Sequence, residues 1–218
     1  MSVVNQFYDF VIYLSFFIGL LKYKHLSSEL KYIFYFVSFG VFTELFTGIY
    51  KAFWMKNTLP IGHFYIPISF LFLGLFYRLQ LKNYINQKVL IGIISAFLTF
   101  SLINVIFIQS LFEFANITGA LSAIILCVFS ILLFAKIMSE AKIEKLWAEP
   151  IIWFNLGILF YHAGNFFFYI LFNYSLTVSN EFALNTVYFN WIVGLLFYVL
   201  IIIGFWKQSK SKSVEKKL

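Results

Sequence analysis

The sequence predicts an all-α, polytopic membrane protein of seven transmembrane helices, with its N-terminus outside and its C-terminus in the cytoplasm. Three observations carry that expectation. The 218 residues are 62% hydrophobic and 11% charged, with a mean hydropathy of +0.89, whereas soluble domains run about 45–50% apolar and about 25% charged. Apolar stretches long enough to cross a bilayer recur seven times, since about 20 helical residues span about 30 Å of hydrocarbon. The basic residues, finally, are distributed unevenly between the intervening segments.

The seven stretches are 7–24, 30–53, 61–81, 89–108, 112–138, 151–172 and 184–205. Each is apolar all round rather than alternating at a two-residue period, so helices and not barrel strands are expected. The first stretch is preceded by MSVVNQFYDF, which has no Lys or Arg, carries Asp9 and is followed by no small-residue cleavage site before Lys22. It therefore reads as a retained helix rather than a signal peptide. Apart from Lys51 and Lys56, all 16 Lys and Arg fall after stretches 1, 3, 5 and 7. By the positive-inside rule those segments are cytoplasmic. An odd number of spans follows, with residues 1–206 as the transmembrane domain and 207–218 as a basic, disordered cytoplasmic tail against anionic lipid. The net charge of +7 is thereby explained by topology, and a nucleic-acid partner is not expected. Lys far exceeds Arg, and Ile, Phe and Asn are abundant, the coding bias of an AT-rich bacterium; the expected location is the bacterial inner membrane, multi-pass.

Offsetting the chain by about 117 positions places Ser38-Phe39-Gly40 on Asn155-Leu156-Gly157. A similar offset sets Gly74-Leu75-Phe76-Tyr77 against the Gly194 to Tyr198 segment, and Lys22 against Lys136. These matches suggest a parallel three-plus-one-plus-three repeat, the plan of several carriers. Ala115, Gly119 and Ala123, and likewise Gly92 and Ala96, recur every four residues. Small residues at that spacing admit close helix packing, within the chain or across a homodimer face. Five tryptophans, including Trp153 and Trp206, fall near span ends as interfacial anchors.

Polar residues inside the spans are the candidate functional groups, because each costs a few kcal/mol at mid-depth unless paired or hydrated. Glu44 lies in the outward half of the second stretch between Thr43 and Thr47, with Lys51 on the same face about 10 Å further out. His63 opens the third stretch, and Pro67 four residues later removes the amide that would bond its carbonyl. Asn155, His162 and Tyr169 are seven apart and form one stripe on the sixth stretch, with Asn165 beside it. Asn190 lies in the seventh at matching depth. Glu44, His63, His162, Asn165, Asn155, Tyr169 and Asn190 are thus the candidate ligand-binding residues of an outward-facing polar pocket. Each has an ordinary alternative as an interhelical hydrogen-bonding residue. Glu44, His63 and His162 also make a two-His, one-carboxylate set able to ligate a metal, although no two share local ligand spacing.

Several seven-helix chemistries are not supported. A retinal protein needs a Schiff-base lysine in its last helix, and no lysine lies between Glu181 and Trp206. Sugar carriers of this size use prolines in several helices, whereas only Pro67 lies well inside a span here. Ceramidase-type hydrolases need three histidines on zinc with two at close helical spacing, and rhomboid proteolysis needs a Gly-x-Ser nucleophile. The segments SFGVFTELFTGIY, HFYIPISFLFLGLFY and FNLGILFYHAGNFFFYILF resemble the layout of uncharacterised seven-helix inner-membrane proteins of bacteria. Those proteins carry an acidic residue after the His-x-Tyr-x-Pro-like segment, where this chain has Ser69 and Phe70. The resemblance implies an integral-membrane role, a sensory one among those open, and no assigned reaction or cofactor. The expected function is receptor-like binding of a small molecule, ion or lipid, with signalling through a separate partner or a homodimer. The alternatives are a small-solute or ion carrier of three-plus-one-plus-three helices and, third, an intramembrane metal-dependent hydrolase.

Overall fold

The computed structural model describes residues 3–54, 57–140 and 145–215, with side chains described over 6–53, 57–140 and 145–208. Seven long helices account for nearly all of it. They are α1 (Val3–Lys22), α2 (Leu30–Trp54), α3 (Leu59–Gln80), α4 (Gln87–Ile103), α5 (Asn116–Glu140), α6 (Pro150–Val178) and α7 (Asn180–Glu215). Six of them, α2 to α7, contain segments long and apolar enough to cross a membrane. The chain is accordingly built as a multi-pass helical membrane protein. Its surface agrees, since Leu21, Phe53 and Phe107 expose more than three quarters of their area to what a bilayer would cover.

Local chemistry sets the helix ends. Pro60 and Pro150 occupy the first turns of α3 and α6, where a missing amide costs no hydrogen bond. Asn86 caps α4 by accepting from the Lys88 amide at 2.9 Å. Asn83, at φ 68°, takes the left-handed conformation just after α3. The α4 helix ends in a π turn over Asn104–Ile108, closed by the Gln109 amide on the Asn104 carbonyl at 2.7 Å.

One sequence expectation is corrected towards the end of the chain. The interval 173–183, expected as a loop, is helical except at Ser179, whose extended backbone (φ −168°) breaks the helix and whose hydroxyl accepts from the Phe182 amide. Helices α6 and α7 thus form an almost direct hairpin extending beyond the expected span limits. The α7 backbone is helical through Glu215, within the 207–218 tail. Residues 216–218 of that tail lie outside the described residues.

Helix neighbours form a closed ring in the order α1, α2, α3, α5, α6, α7 and back to α1. Helix α4 sits outside the ring against α3, where the Phe70 and Phe97 rings lie 3.9 Å apart. Displacing α4 makes α3 and α5 parallel neighbours. At one end His63 of α3 meets the Glu113 carbonyl just before α5, and at the other Lys136 of α5 donates to the carbonyls of Gln80 and Lys82 at 2.6 and 3.1 Å. A second parallel seam joins α1 and α7, where Gln208 reaches the His25 carbonyl and Lys22 lies over Trp206.

Phenylalanine fills the interior of the ring, with Phe36 edge-on to Phe197 and Phe154 edge-on to Phe205. On α5, Ala115, Gly119 and Ala123 are buried, as the small-residue stripe predicts. On α4 the stripe is not used for packing within the chain: Gly92 and Ala96 are exposed, and α4 buries Leu90, Ile94 and Phe97 instead. Close packing makes particular glycines irreplaceable. A Cβ on Gly204 would stand 2.7 Å from the ring of the fully buried Phe154. Gly204→Leu is expected to lose about 1–3 kcal/mol to overpacking, whereas Gly92→Ala, with nothing within 4 Å, retains or raises stability. Thermal unfolding of the two variants in one detergent measures the contrast.

Candidate ligand-binding cleft

Two adjoining open clefts enter the ring at the end that carries the α2–α3 and α4–α5 connections. This end lies opposite the one bearing Lys22, Arg78, Lys82, Lys136 and Lys207. The first arm, of about 240 Å³, lies between α2 and α3. Helix α2 contributes Gly40, Thr43, Glu44 and Thr47, and the α3 side contributes Thr58, Ile61, Gly62 and Tyr65. Tyr8, Tyr161 and Tyr198 reach in from α1, α6 and α7. The second arm, of about 250 Å³, runs on between α3, the start of α5, α6 and α7. It is lined by Leu59, Ile66, Phe114 and Phe168 together with Asn165, Tyr169 and Asn190. Thr58, Gly62, Tyr65 and Tyr161 line both arms, so the two adjoin along a shared wall. Each arm is a little smaller than the usual small-molecule site, about 300 Å³ upward.

Glycines admit the tyrosines. A Cβ on Gly194 would stand 2.5 Å from the Tyr8 ring and one on Gly40 3.2 Å from the Tyr198 hydroxyl, and one on Gly119 would run into the Tyr169 ring. Three tyrosines from three helices are therefore each seated on a glycine of another helix, Tyr198 reaching across the ring to α2. Tyr8 packs edge-on to Tyr198 at 6.0 Å, and Phe39 stacks on Tyr65 at 5.7 Å, holding both rings in place. Gly62 differs, because no atom lies within 4 Å of where its Cβ would be.

The predicted residues separate into two groups. Glu44, Asn165, Tyr169 and Asn190 line the cavity. Asn165 is oriented by donating to the Tyr161 carbonyl at 2.8 Å and accepting from Asn190 at 2.9 Å. Glu44 sits exposed at the mouth, with Asp9 of α1 and Lys51 of α2 as the charged groups acting on it. Asn155, His63 and His162 line neither arm. Asn155 is fully buried near the opposite end, accepting from Tyr77 at 2.8 Å and Ser130 at 2.9 Å and donating to the Ser130 carbonyl at 3.0 Å. Its side chain thereby makes three hydrogen bonds that join α3, α5 and α6. His63 turns towards the α4–α5 connection and donates from Nε2 to the Glu113 carbonyl at 3.0 Å. His162 is buried edge-on against Tyr161 at 5.1 Å. The one stripe expected on α6 is thus divided by depth, as its members are a full two turns apart.

The potential metal set does not assemble. Among the described residues no group of three or more His, Cys, Asp or Glu side chains is placed to hold a metal ion.

Sequence reasoning missed Tyr8, Tyr65, Tyr161 and Tyr198. Scattered among phenylalanines they carry no signal of their own beyond one: Tyr65 and Tyr161 lie close to His63 and His162, in segments already marked by their polarity. Comparison with family models, curated proteins and solved structures finds no match to this chain, so what the cleft does is argued from its own geometry.

Proposed function

We propose that the chain is a seven-span inner-membrane protein, N-out and C-in, whose outward cleft binds a small molecule, and that it acts as a receptor. In this reading α1 is the seventh span, residues 1–206 form the membrane domain and 207–218 a basic cytoplasmic extension. The observation that carries it is the convergence of Glu44 in one arm with Asn165, Tyr169 and Asn190 in the other on a shared wall of Thr58, Gly62, Tyr65 and Tyr161. A membrane bundle that needed only stability would fill such a space with apolar side chains. At the opposite end, the Tyr77–Ser130–Asn155 knot closes the bundle, which favours a site read from one side.

The carrier reading draws on the ring. Exchanging α1, α2 and α3 for α5, α6 and α7 leaves the ring's order unchanged and maps one parallel seam onto the other, as a three-plus-one-plus-three repeat requires. Receptor and carrier differ in whether the opposite end opens, and uptake into proteoliposomes distinguishes them.

Native mass spectrometry of gently solubilised protein tests the site itself. The wild type is expected to retain a small molecule that Gly62→Leu loses, because the leucine enters open space shared by both arms. An empty wild type, with both proteins equally stable, would instead support a structural subunit.

A further inference from the structure

Resting on that reading, we infer that the cleft takes a small organic ammonium ion, its charged head at Glu44 among the tyrosines and its apolar body in the second arm. The lining is one-sided in charge: Glu44 lines the first arm, and among the described residues the second arm is lined by no charged residue and neither arm by Lys, Arg or His. An anion entering here would meet a carboxylate and no counter-charge. Asp9 on α1 adds a second acid to the field at Glu44. Lys51, the cation acting on the same group, lies two helical turns beyond it and outside the lining.

Hydrogen-bonding capacity is biased in the same direction. Thr43 and Thr47 give their hydroxyl protons to the carbonyls of Phe39 and Thr43 at 2.8 and 2.7 Å. What these oxygens can still offer an occupant is lone pairs. Asn165 commits one amide N–H to the Tyr161 carbonyl and Asn190 commits one to the Asn165 oxygen, so each keeps one N–H, and the Asn190 carbonyl oxygen adds an acceptor for an occupant. Tyrosine oxygens and rings present negative potential as well, and aromatic rings beside a cation are worth about 0.5–2 kcal/mol apiece. An environment of acceptors and rings around one carboxylate is matched by a donor-rich or quaternary ammonium.

The second arm supplies the remainder. Leu59, Ile66, Phe114 and Phe168 line it, and Phe114 is held by stacking on Tyr169 at 5.7 Å. A ligand bent between the arms would place nitrogen near Glu44 and carbon against these side chains. The volumes set its size at that of a monoamine or a choline-like molecule rather than a lipid.

Isothermal titration of the purified full chain tests the charge requirement. The probes are choline, benzyltrimethylammonium and phenethylamine as cations, 3,3-dimethylbutan-1-ol as the uncharged isostere of choline, and benzoate as the anion. At least one cation is expected to bind, with choline at least tenfold tighter than its neutral isostere if choline is the form accepted, and benzoate not at all. Glu44→Gln is expected to weaken the bound cation at least tenfold at unchanged thermal stability, and Gly62→Leu to abolish its binding. Binding of benzoate, or cation binding indifferent to Glu44→Gln, overturns the ammonium assignment. Failure of all three cations, with a neutral or anionic molecule retained by wild type and lost in Gly62→Leu, overturns it while leaving the cleft as a binding site. Failure of every probe, together with an empty wild type in native mass spectrometry, removes both.

Discussion

Asn155→Leu is expected to lower the stability of the detergent-solubilised protein by about 2–4 kcal/mol, more than any change at the cleft mouth. The reason is not the hydrogen bonds themselves, since those between membrane helices average below about 1 kcal/mol each. It is that leucine leaves the buried Tyr77 hydroxyl without its acceptor, at about 1–3 kcal/mol when orphaned, and leaves Ser130 only its longer bond to the backbone carbonyl of residue 155 at 3.2 Å. Tyr77, Ser130 and Asn155 are all fully excluded from solvent, so no water relieves them. The triple variant Asn155→Leu/Tyr77→Phe/Ser130→Ala is expected to recover most of the loss, because it removes the unpaired groups together with the partner. Recovery separates an orphaned-polar cost from a packing cost, and thermal unfolding monitored by circular dichroism measures it. If Asn155→Leu alone is as stable as wild type, the knot does not hold the closed end of the bundle.

Gly194→Leu is expected to abolish ligand retention in the cleft, at least tenfold, and to cost about 1–3 kcal/mol of stability. The added carbons would occupy the volume of the Tyr8 ring, whose nearest atom is 2.5 Å from a Cβ there. Tyr8 must then leave its place beside Tyr198, and α1 loses its contribution to the lining. Combining Gly194→Leu with Tyr8→Ala relieves the clash, so stability is expected to return while retention does not. Gly48→Ala serves as a control, since nothing lies within 4 Å of that position. Native mass spectrometry and thermal unfolding on the same four samples report both quantities.

How much of this was legible beforehand follows from what each signal measures. Apolar runs of membrane length located the helices well, because backbone hydrogen bonds must be satisfied within each span and composition reports that directly. The ends were less legible. Polarity in 173–183 reads as a loop, yet the residues are helical up to a single serine, since a helix emerging from the bilayer need not stop there. Depth was legible too, placing Glu44, Asn165 and Asn190 in one layer. Helix rotation was not: it separates Gly62, which faces the cleft, from His63, which turns to the Glu113 carbonyl. The packing role of Asn155 depends on Tyr77 and Ser130, distant in sequence by 78 and 25 residues, and no local pattern encodes such a meeting. The tyrosine-on-glycine pairs are hidden for the same reason, each half being unremarkable without the other.

The central claim is a water-accessible cleft opening on the outer face, and thiol labelling in intact cells tests it most directly. Cys127 is the sole cysteine, so a Cys127→Ser background carrying Thr47→Cys, Gly62→Cys or Asn155→Cys isolates single positions. A membrane-impermeant maleimide added from outside is expected to label the first two and to leave the third unmodified. Labelling of the first two only in inside-out vesicles would contradict the orientation, and no labelling at either from either side would contradict the cleft.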